Sequence, residues 1–148
     1  MKRILVFSFL VLSLCFEGVL AAPYYIESAA PGSSPWGRTN YSEDMNAVFG
    51  VEGWVNEKYE TINADDLFSS ANEFIYMEGS DRHAQEMEDF IIAHKTKMEA
   101  WVYAGGTLFL NAAPNEGDGM DFGFGVSLRY SDSSRTVTAV DSGHGIFH

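Results

Sequence analysis

Residues 73–117, EFIYMEGSDRHAQEMEDFIIAHKTKMEAWVYAGGTLFLNAAPNEG, decide the fold of this chain. Phe74-Ile75-Tyr76-Met77 is a continuous apolar run, the pattern of a strand covered on both faces. Met87, Phe90, Ile91, His94, Met98, Trp101 and Val102 then recur at steps of three and four, one apolar stripe of a long helix. Glu86, Glu88, Lys95, Lys97 and Glu99 cover its other side, and Ser80 or Asp81 is expected to cap its start. Gly105 is expected to close the helix in a left-handed conformation and Gly106 to allow a tight turn. Thr107-Leu108-Phe109-Leu110 is again continuously apolar, so this second strand is also expected inside the sheet. Strand, helix and strand make one βαβ unit of a parallel sheet, whose functional groups collect at the carboxyl ends of the strands. Those ends carry Glu78-Gly79-Ser80-Asp81 and Asn111-Ala112-Ala113-Pro114-Asn115-Glu116. Neither offers a cysteine, a serine elbow or a phosphate-cradling loop.

Upstream, PYYIES (23–28) reads as a first strand ending in a carboxylate, and AAPGSSPWGRTN (29–40) as a loop. Ser42 is expected to cap a short helix with Glu43 and Asp44 in its first turn. Met45, Val48 and Phe49 would form its apolar stripe, and Gly50 or Gly53 its end. WVNEKYETI (54–62) suits an edge strand, and residues 63–70 a polar connection anchored by Leu67 and Phe68. Downstream, residues 115–121 form an acidic, turn-rich loop, and FGFGVSLRY (122–130) and RTVTAV (135–140) read as extended segments.

The chain opens with Lys2 and Arg3, a run of apolar residues from Ile4 to Phe16, and a small-residue exit at Val19-Leu20-Ala21-Ala22. That is the pattern of a secretory signal peptide over residues 1–21, too short to span a bilayer, which needs about 20 apolar residues. A secreted location, extracellular or periplasmic, with a single α/β domain over 22–148, is therefore expected. Cys15 lies within the leader, so the remainder has neither a disulfide nor a thiol nucleophile. Removing Lys2, Arg3 and Glu17 leaves 7 basic and 20 acidic residues, a net charge of −13. Such a surface argues against nucleic acid and against anionic membranes, both of which attract Lys and Arg.

EGSD at 78–81, W-V-Y-A-G-G at 101–106 and T-L-F-L-N-A-A-P-N-E-G at 107–117 together resemble the class I glutamine amidotransferase-like, flavodoxin-like group, including trehalose-utilisation-type domains. F-G-F-G-V, T-A-V-D and H-G-I-F further on extend the resemblance over most of the domain. It implies a doubly wound, three-layer sandwich with about five or more parallel strands. Amidotransferases carry a cysteine on the turn after a central strand. Here Asn111, Ala112 and Ala113 follow Leu110, so amidotransfer by that mechanism is excluded. Such modules also continue past the H-x-I-F segment, so the domain is expected to be C-terminally short.

The three strand ends would share one edge, lining a crevice with Glu27, Ser28, Glu78, Ser80, Asp81, Asn111, Asn115 and Glu116. As an enzyme, the chain would use Glu27 and Glu78 as acid and base with Asn111 or Glu116, a carboxylate-based hydrolase or isomerase acting on carbohydrate. As a binding module, it would hold a ligand through Glu78, Ser80, Asp81, Asn111 and Asn115. Capping of a helix by Ser80 and Asp81 is the simpler account of those two residues. Asn115, Glu116, Asp118 and Asp121 suit a solvated turn better than a Ca²⁺ site, lacking the spacing of an EF-hand. His83 is placed in the helix's first turn and His94 near its stripe. His144 and His148 are flanked by glycines that disfavour a helical zinc pair. Tyr24, Tyr25, Trp36, Trp54 and Tyr59 are expected in the core rather than on a sugar-stacking platform. No metal and no cofactor are called for. The favoured expectation is a secreted, non-catalytic binding or structural module with a carbohydrate or surface-protein partner.

Overall fold

Four strands pair in parallel in the order β2-β1-β3-β4 in the computed structural model, which describes residues 22–30, 40–80, 83–112 and 120–128. They are β1 (Tyr24–Glu27), β2 (Val55–Lys58), β3 (Phe74–Gly79) and β4 (Thr107–Ala112). Parallel neighbours need a crossover, and helices supply it: α1 (Asn40–Phe49), the short α2 (Ala64–Leu67) and α3 (Ala84–Tyr103). The strand order is that of the first four strands of a flavodoxin-like sheet. The leader expected over 1–21 and the segment after Leu128 lie outside the described residues, as do Trp36, Asp81, Asn115 and Glu116. Among the described residues no helix is long and apolar enough to cross a membrane.

Alternation along the strands sorts the core into two layers. On one face Tyr25, Phe74 and Tyr76 meet Tyr41, Met45 and Phe49 of α1, with Trp54 alongside. On the other face Ile26, Ile75 and Met77 meet Met87, Phe90, Ile91, Met98 and Trp101 of α3 and Leu67 of α2. Each of the fully buried aliphatic side chains contributes roughly 1.5–3 kcal/mol relative to leaving it in water. The result is the expected three-layer α/β sandwich.

Several local expectations change. Ser42 lies inside α1, which begins at Asn40, and Val48 is 72 % exposed instead of joining Met45 and Phe49 against the sheet. Residues 64–67 form α2, capped by Asn63, whose side chain accepts from the Asp65 N–H at 2.9 Å. Ser80 does not cap α3: the helix begins after His83, which makes no side-chain capping bond. The stretch 122–130 is not one extended segment. β5 (Met120–Gly123) turns back into β6 (Val126–Leu128) through Phe124 and Gly125, both at positive φ (54° and 74°), the signs of a type I′ hairpin turn. Glu99 holds that turn by accepting the Phe124 N–H at 2.7 Å.

β4 reads in sequence as an interior strand; among the described residues it pairs with β3, with Phe109 52 % exposed, and the extended segment expected over 135–140 lies outside the described residues. A continuous apolar run reports that both faces of a strand meet apolar neighbours; it carries no information on whether both hydrogen-bonding edges are taken.

Candidate functional site

Parallel pairing brings the carboxyl ends of β1, β3 and β4 to one edge, and the register aligns their polar residues. Glu27 pairs with Lys58 and Glu78 with Asn111. Ile26 pairs with Met77, so one residue further the register sets Glu27 beside Glu78. Lys58, Glu27, Glu78 and Asn111 therefore form one row across four strands. By strand alternation Glu27 and Glu78 share the face of Tyr25 and Tyr76, the side covered by α1.

Glu78 is the centre of this row and is 0 % exposed. Its Oε1 accepts from the Ser80 N–H at 2.7 Å and from the Ser80 hydroxyl. Its Oε2 accepts from Asn111 Nδ2 at 2.9 Å and from the Tyr76 hydroxyl at 3.4 Å. Four donors thus meet two oxygens, which occupies most of the capacity of a carboxylate. The backbone carbonyl of Glu78 accepts the Tyr59 hydroxyl at 2.9 Å. Glu27 is tied to Lys58 Nζ by an ion pair and to Asn56 Nδ2 at 3.1 Å.

A second polar cluster lies at the end of β1. The Ser28 N–H donates to His83 Nδ1 at 2.8 Å, so a neutral His83 ring carries its proton on Nε2. The Ser28 hydroxyl donates to Glu60 Oε1 at 2.7 Å, and the Ala29 N–H reaches both Glu60 oxygens at 3.0 Å. Burial opposes ionisation of Glu60, but the bonds from Ser28 and Ala29 and the nearby Lys58 outweigh it and hold the carboxyl below its ordinary 4.5. Burial, then the charges of Glu78 and Glu27, push the Tyr25 phenol far above its ordinary value. Burial followed by Glu78 does the same to Tyr59 and Tyr76. These phenols are donors, not bases, at any physiological pH.

The neighbouring hollow is a groove of about 480 Å³ between α1 and β4, lined by Tyr41, Val48, Phe49, Tyr76, Phe109 and Asn111 among others. Glu78, directly beneath Tyr76 and Asn111, does not line it. Of the residues singled out in the sequence, the structure joins Glu78, Ser80 and Asn111 by hydrogen bonds, sets Glu27 next to them in register, and seals Glu78 and Ser80 from solvent. Asp121 pairs with Lys95 of α3, and its loop companions Asn115, Glu116 and Asp118 lie outside the described residues. Tyr25 and Tyr59 are core residues. Glu60 and the buried His83–Ser28 bond were not foreseen, because their partners stand 32 and 55 residues apart with no motif linking them.

Comparison with protein-family models, with curated proteins and with solved structures gives no match to this chain.

Proposed function

We propose that the chain is a secreted, non-catalytic module on an amidotransferase-like α/β scaffold, with a binding role at the cell exterior. The observation that carries this reading is the closure of Glu78. A general acid or base must reach a substrate atom directly or through one water. Glu78 has no exposed surface, and its oxygens are engaged by Ser80, Tyr76 and Asn111. Its chemistry is that of a structural clamp between β3 and β4. Binding falls instead to the groove above it, where the Phe109 ring and Asn111 offer an apolar face beside an amide. A sugar ring or an apolar side chain of a surface protein suits that combination.

The test is an assay of residues 22–148 and their Glu78→Gln variant on aryl glycosides and soluble oligosaccharides across about pH 4 to 8. Neither protein is expected to turn substrate over. The variant is expected to lose about 1–3 kcal/mol of stability, since an amide NH₂ would face donors that now meet an oxygen. Turnover by the wild type that the variant loses while its circular dichroism stays native overturns the reading.

A further inference from the structure

Asn40-Tyr41-Ser42 is an N-x-S sequon, and of the chain's seven asparagines only Asn40 is followed two residues later by Ser or Thr. We infer that Asn40 is an acceptor for an N-linked glycan, a step that rests on the secretory reading of the leader. The transfer balances simply. The amide Nδ2 of Asn40 bonds to C1 of an oligosaccharide carried on a lipid pyrophosphate, the C1–O bond to that carrier breaks, and the amide proton leaves to a base. The hydroxyl at the third sequon position is what marks the asparagine for this reaction.

Location supports the assignment independently of the motif. Asn40 is the first residue of α1 and ends the Gly, Ser and Pro-rich stretch 29–40. Helical spacing groups position 40 with positions 43, 44 and 47, and Glu43, Asp44 and Ala47 are all exposed. Met45 and Phe49, on the opposite side, pack on the sheet. Position 40 is therefore placed on the same face of α1 as three exposed residues. The next residue, Tyr41, lines the α1–β4 groove and approaches Tyr76 at 6.1 Å between ring centroids. A glycan here would stand at the carboxyl edge of the sheet, beside the mouth of the groove.

The test expresses the full chain with its own leader in a eukaryotic secreting cell and treats the medium with an amidase that removes N-glycans. The expected result is secreted protein whose electrophoretic mobility rises by one step on treatment. That step is expected to be absent in Asn40→Gln and in Ser42→Ala, and kept in Ser42→Thr, which preserves the sequon. Secreted wild-type protein insensitive to the enzyme overturns the glycan assignment alone. Protein that stays inside the cell with its leader uncleaved overturns the secretory reading on which it rests.

Discussion

Glu60 shows how much a single exposed side chain can fix. Its carboxylate gathers the Ser28 hydroxyl and the Ala29 amide, closing the chain as it leaves β1. Because its folded pKa is depressed, its contribution is present above the unfolded value and is lost as pH falls through the folded one. Urea midpoints of wild type and Glu60→Gln are expected to differ near neutral pH by less than about 1 kcal/mol, the scale of a solvent-screened contact. The two are expected to converge as the pH falls through the depressed folded pKa of Glu60. A gap that persists under acid would assign the effect to shape instead of charge. The link between Glu78 and Asn111 was accessible from sequence, since both close apolar runs that had to pair. The Glu60–Ser28 and His83–Ser28 bonds were not, because each joins polar residues whose neighbours give no periodic signal of the contact.

At the level of elements, the junction between α3 and β4 is held by two adjacent glycines. Gly105 adopts φ +110°, a conformation that side chains resist. Gly106 is close-packed for a different reason: a Cβ there would stand 2.3 Å from the Trp101 ring. The ring cannot easily move, since its Nε1 donates to the carbonyls of Ser69 and Asn72, both at 3.1 Å. Gly106→Ala is therefore expected to destabilise the fold by about 1–3 kcal/mol in urea unfolding, the usual cost of overpacking. An unchanged midpoint would mean that the indole shifts freely. The double glycine was legible as punctuation, and so were both strands around it. What escaped sequence reading was short: α2 spans four residues and the β5–β6 turn two, lengths over which neither helical nor strand periodicity can develop.

For the molecule as a whole, a large negative charge is set against an apolar strand, β4, that forms the edge of the sheet among the described residues. β4 carries no charged residue, and Phe109 and the nearby Val48 are both largely exposed. Uncharged, apolar edges pair with other chains unless something blocks them, and Lys is a common blocker. Mutual repulsion of strongly acidic copies opposes such contacts at low ionic strength, and salt removes that protection by shortening its range. Static light scattering of residues 22–148 is expected to rise with added sodium chloride, and Phe109→Lys is expected to suppress the rise. Equal scattering by both proteins would show that this edge is already covered.

The two faces of the sandwich also differ in a way that can be watched optically. Trp54 stacks edge-on with Tyr25 at 6.0 Å and donates to Asn46 Oδ1 at 2.8 Å, all within the α1 layer. Trp101 is immersed in the α3 layer on the far side of the sheet. With Trp36 replaced, each layer would carry its own fluorophore. Emission from the two indoles would then reveal whether the layers melt as one body or whether the α1 layer, beside the groove, lets go first.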